Sequence, residues 1–99
     1  MKKIKNIALH SRKLGFVKES ETILRDLVDT QCREIGLLHE DTLTSIEMWA
    51  ETLALLGRWT DLGEIHQLLC KAQTEIDDNK LRETIHLIEH LRTFERQSS

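Results

Sequence analysis

The chain contains no proline, so no position is barred from a helix interior by a missing N–H. Tyrosine is absent too, and two Trp and two Phe are the whole aromatic complement. That is too few to interleave with a basic surface as a stacking platform for single-stranded nucleic acid. Glycine occupies four separate positions, which excludes a glycine-rich phosphate loop. Apolar runs fall well short of the roughly 18 residues that a membrane-spanning helix needs, so no membrane partner is expected. Cys32 and Cys70 form no Cys-x-x-Cys pair and read as reduced, partly buried thiols of a cytoplasmic protein.

What is present favours helix. Leu, Glu, Lys, Arg, Gln and Ile dominate, and glycines fall between periodic segments. Ninety-nine residues suffice for one domain. The start, Met1-Lys2-Lys3, is basic, but Arg12, Lys13 and Lys18 arrive before any long apolar stretch, so no secretion signal is expected. Charge is unevenly spread: residues 1–18 hold six Lys/Arg and no acid, whereas residues 19–99 hold eight Lys/Arg against seventeen Asp/Glu. The remainder's net of −9 makes the molecule dipolar, which bears on its partners and on self-association.

The same pattern occurs twice, 42 residues apart. Ile4, Ile7, Ala8 and Leu14-Gly15 return as Ile46, Trp49, Ala50 and Leu56-Gly57; Ile23 and Leu27 return as Ile65 and Leu69. A third copy opens with Thr84, Ile85 and Ile88, answering Thr42, Leu43 and Ile46. A fixed period of this size signals stacked helical units, none able to bury its apolar face alone. The expected fold is all-α, a short α-solenoid of about five antiparallel helices in a single domain spanning 1–99. The repeats cover about 4–45 and 46–87, with a partial third from about 84.

The expected helices run from about Lys3 to Leu14, Lys18 to Ile35, Asp41 to Leu56, Thr60 to Ile76 and Lys80 to Arg96. Gly15, Gly36 and Gly57 serve as terminators. Asp41 or Thr42 is expected to cap the third helix, and Asp77-Asp78-Asn79 to cap the fifth. Inward stripes are Ile23, Leu24, Leu27 and Val28; then Leu43, Ile46, Trp49-Ala50, Leu53 and Leu56. Leu62, Ile65, Leu69, Ala72 and Ile76 follow, and then Leu81, Ile85, Ile88 and Leu91. Gly63, inside the fourth helix, predicts a close approach between helices, and Ala8 and Ala50 predict the crossing points of the two hairpins.

Gly36-Leu37-Leu38-His39-Glu40-Asp41-Thr42-Leu43 resembles the turn motif of the tetratricopeptide repeat, in the 42-residue form of kinesin light chains. Leu56-Gly57-Arg58-Trp59-Thr60-Asp61-Leu62 resembles that family's glycine-basic-aromatic step, and Leu14-Gly15-Phe16-Val17-Lys18-Glu19-Ser20 is a weaker version of it. Glu40 stands at the usual proline, and Ser20 and Leu62 stand at the usual small alanine. The resemblance implies a groove, lined by the first helix of each hairpin, that takes a peptide or protein. Its residues here would be Lys5, Leu9, Arg12 and Lys13, with Glu47, Met48, Glu51 and Leu55. Leu9 occupies the place of the Asn with which chaperone-binding members grip a terminal carboxylate, so chaperone binding is not implied.

His86-Leu87-Ile88-Glu89-His90 is a literal His-x-x-Glu-His, and histidines four apart on a helix can share a zinc ion. A peptidase needs a third protein ligand, and the spacing selects none, although Glu83 and His66 are candidates. Two surface histidines is the stronger reading, so no catalytic residue and no cofactor is expected. His39 is placed to orient its turn by hydrogen bonding, and Trp49 and Trp59 to pack between helices. The basic first helix invites phosphate contacts, but the acidic remainder and a pI near 5.9 argue against nucleic acid.

A non-catalytic protein-interaction module, acting as adaptor, scaffold or small inhibitor, is therefore the first expectation. The second is a homodimer: an incomplete last hairpin would leave Leu81, Leu87, Ile88, Leu91 and Phe94 to meet a second copy. A zinc-dependent hydrolase is the third.

Overall fold

The computed structural model describes residues 17–98, with side chains through residue 95. The first expected helix, and with it Ala8, Gly15 and the groove residues Lys5, Leu9, Arg12 and Lys13, lies outside the described residues. The described part is all helical: α1 (Val17–Glu34), α2 (Glu40–Leu56), α3 (Trp59–Gln73) and α4 (Asn79–Ser98). α2 is central and packs against α1, α3 and α4, while α4 also leans on α3.

Glycine geometry sets the two sharp turns. α1 ends where the Gln31 carbonyl accepts from the N–H groups of Ile35 and Gly36, at 2.8 and 3.0 Å, with Gly36 at φ 95°. Gly57, at φ 72°, closes α2: its N–H donates to Ala54 O and that of Arg58 to Leu53 O, the paired bonds of a Schellman end. Both backbones are left-handed, a conformation side chains with a Cβ resist.

The caps differ from expectation at α2. His39 is the N-cap: its Nδ1 accepts from the Asp41 N–H at 3.1 Å, which is the loop-orienting role expected of it. Thr42 instead turns inward, and its hydroxyl donates to Gly36 O at 2.8 Å, tying the start of α2 to the end of α1. At α4 the cap is Asp78, whose Oδ1 accepts from the Leu81 N–H at 2.9 Å.

One core joins the helices. Val28, Leu43, Ile46, Ala50, Leu53, Leu62, Ile65, Leu69, Leu81, Ile85 and Ile88 form a continuous buried cluster. A smaller one, Leu24 and Leu27, sits under Ile23, Met48 and Trp49. Buried hydroxyls return their protons to the preceding turn, Ser45 to Asp41 O and Thr52 to Met48 O, so they stay satisfied without breaking the helix.

Two expectations are corrected. Ile76 is 47% exposed, because α3 ends at Gln73 and the Thr74 and Ile76 N–H groups bond back to Cys70 O and Ala72 O. Gly63 marks no close backbone approach: a Cβ there would meet only the Arg92 guanidinium, at ordinary contact distances of 3.8–3.9 Å.

Candidate interaction surface

α2 and α4 converge on the start of α3, leaving a shallow open depression of about 400 Å³ lined by Glu51, Ala54, Leu55, Trp59, Leu91 and Phe94. Glu51 and Leu55 lie one turn apart on α2, and Leu91 and Phe94 one turn apart on α4, so each helix lends one edge. Leu55 is 67% exposed and Phe94 43%, while Trp59, Ala54 and Leu91 are half-buried against the core. The Phe94 ring is held edge-on by His90, with centroids 5.5 Å apart. Glu51 is the one charged residue of the lining.

The expected groove residues separate. Glu51 and Leu55 reach this cleft, but Glu47 is drawn into the α2–α4 contact, where Lys80 Nζ reaches it at 3.0 Å and the Thr84 hydroxyl at 3.2 Å. Met48 packs on the opposite side, against Leu24 and Leu27. The expected self-association face is corrected likewise: Leu81 and Ile88 are wholly buried, because α4 spends its apolar stripe on α2 and α3. Leu87 is half-buried, and Leu91 and Phe94 belong to the cleft. Ala54 and Trp59 complete it, and sequence pattern gave neither a surface role, since only the meeting of α2 with α4 creates the hollow.

A second cluster spans α3 and α4. His66 Nδ1 lies 3.1 Å from Arg92 Nη1, and its Nε2 lies 3.3 Å from Glu89 Oε2 and 3.5 Å from Cys70 Sγ. A cysteine, a histidine and a carboxylate in contact suggest an activated nucleophile, yet the hydrogen bonds oppose it. Guanidinium only donates, so Nδ1 must hold the lone pair and Nε2 the proton, which goes to Glu89. Cys70 therefore faces an N–H, not a base. Among the described residues no group of three or more His, Cys, Asp or Glu is placed to hold a metal. His86 and His90 are exposed, while the Glu89 between them is turned to His66.

Cys32, on α1, is unpaired, as is Cys70. Burial, and then the neighbouring Asp29 carboxylate, push the Cys32 thiol above its ordinary value. That is the reverse of what a reactive thiol needs.

No family model, curated protein or solved structure matches this chain. No helix among the described residues is long and apolar enough to cross a membrane.

Proposed function

We propose that this chain is a non-catalytic protein-interaction module of tetratricopeptide type, with the α2–α4 cleft as its contact surface. The observation that carries the reading is an apolar hollow with Leu55 largely exposed on one edge and Phe94 partly exposed on the other. Leaving a Leu or Phe side chain exposed forgoes about 1.5–3 kcal/mol of burial. Contiguous apolar surface with a polar rim is the usual mark of an interaction site. Neighbouring helices stacked around a central α2 suit the repeat reading, in which such a surface exists to be covered. The wrong tautomer at His66 argues against nucleophilic catalysis beside Cys70. The two unpaired thiols suit a reducing compartment, and we assign the chain to the cytoplasm.

A photo-crosslinking residue at position 55, with the same probe at Leu68 as comparison, would identify the partner. Binding of that purified partner is then measured. Leu55→Asp should weaken it at least about tenfold, or about 1.4 kcal/mol, whereas Leu68→Asp, on an exposed site outside the cleft, should leave it unchanged. Equal binding by both variants would remove the cleft from the function.

A homodimer is the second reading, favoured by the same exposed Phe94 beside Leu91. In it, the two copies cover each other's cleft.

A further inference from the structure

We infer that the α3–α4 end of the helical stack is a polar stop, built from His66, Glu89, Arg92 and Glu95, that keeps a second copy of this chain from stacking end-on. The inference is independent of what the α2–α4 cleft binds. It comes from comparing the two helical pairs position by position. A shift of 42 residues carries Val17–Leu56, the span of α1 and α2, onto Trp59–Ser98, the span of α3 and α4. The two pairs therefore present equivalent faces.

In the first pair that face is core. Leu24 on α1, and Ala50 and Leu53 on α2, are wholly buried. Ala50 and Leu53 share one cluster with Leu62 and Ile65 of α3 and with Ile85 and Ile88 of α4. Their equivalents in the second pair are His66 on α3 and Arg92 and Glu95 on α4. Together with Glu89 and Thr93 these line an open depression of about 420 Å³, and every described residue of that lining is polar. The set is tied together: Arg92 Nη1 lies 3.1 Å from His66 Nδ1, and Glu89 meets His66 Nε2 at 3.3 Å. The guanidinium thus lies across α3, where Nη2 would stand 3.8 Å from a Cβ at Gly63. A second copy laid on this face would strip water from that guanidinium and from two carboxylates, a cost that packing alone does not return. A stacked helical array stays soluble only if its outermost face is polar. Here the polar groups stand where the period places Leu, Ala and Leu.

Transplanting the first pair's residues tests this. His66→Leu, Arg92→Ala and Glu95→Leu are combined in the full chain, and mass is read by light scattering over a wide concentration range at moderate salt. The parent chain should keep one mass throughout. The triple variant, with helicity unchanged, should at least double its mass at the highest concentration, and restoring Arg92 should return it to the parent mass. Glu95→Leu alone alters the same face at an exposed position and should give a smaller rise. A folded triple variant that keeps the parent mass overturns the inference. If the triple variant loses helicity, Glu95→Leu decides, and an unchanged mass there overturns it. Association that Leu55→Ser abolishes also overturns it, because the copies have then met at the cleft. A parent chain already doubled in mass, and returned to a monomer by Thr93→Asp, would make this end an assembly surface instead of a stop.

Discussion

Trp49 donates its indole N–H to Glu21, 2.9 Å away across the α1–α2 contact, and the other Glu21 oxygen takes Arg58 at 2.8 Å. Glu21 is 4% exposed, so one buried carboxylate joins α1, α2 and the residue that opens α3. Glu21→Ala strands the indole N–H and should destabilise the chain by about 1–3 kcal/mol. Glu21→Gln, which keeps one acceptor, should cost less. Urea unfolding followed by tryptophan emission measures both; equal stability of Glu21→Ala and the parent chain would remove this clamp from the fold.

Two glycines separate by opposite responses to alanine. Gly57 is left-handed, so Gly57→Ala should cost about 1–2 kcal/mol. Gly63 is helical with room for a Cβ, so Gly63→Ala should stabilise by up to about 1 kcal/mol. Thermal unfolding of the two variants should move the midpoint down and up respectively.

The raised thiol of Cys32 has a kinetic and a thermodynamic consequence. At mildly alkaline pH it should react with a disulfide reagent more slowly than an unhindered thiol, and Asp29→Asn should speed it. Folding favours the neutral thiol, so its contribution to stability is present below the ordinary thiol range and is lost as pH rises through and above it. A urea midpoint that falls on the alkaline side, and falls less in Cys32→Ala, is the expected signature. An identical alkaline slope in the two proteins would contradict it.

Assembly is decided by absolute mass from light scattering at moderate salt. A monomer of 11.6 kDa is expected, because the described surface is acidic and the core already holds Leu81 and Ile88. Twice that mass, reduced by Phe94→Ser, would favour the homodimer.

Much of the fold is legible from spacing. The stripe Leu43, Ile46, Ala50 and Leu53 is buried as its helical period requires, and Gly36 and Gly57 both end helices. What escapes is local competition and tertiary meeting. Three residues, His39, Asp41 and Thr42, carry groups able to cap α2, and packing against Gly36 O takes Thr42 out of that role. Ile76 continues an apolar stripe on paper, but the chain has already turned at Thr74. The cleft is the harder case. Glu51 and Leu55 read as groove, and Leu91 and Phe94 as assembly face, and only the packing of α4 along α2 makes them one surface. That packing also buries Leu81 and Ile88 and engages Glu47 with Lys80, which no single-helix pattern reveals.

The most direct test of the cleft as a docking surface is a map of amide shifts in the isotope-labelled chain as the purified partner captured by the crosslink at position 55 is added. Shifts concentrated at Ala54, Leu55, Trp59, Leu91 and Phe94, with the Trp59 indole moving and the Glu21-bound Trp49 indole still, are the expected result. Shifts centred on Leu68, or spread evenly over the acidic surface, would contradict docking at the α2–α4 cleft.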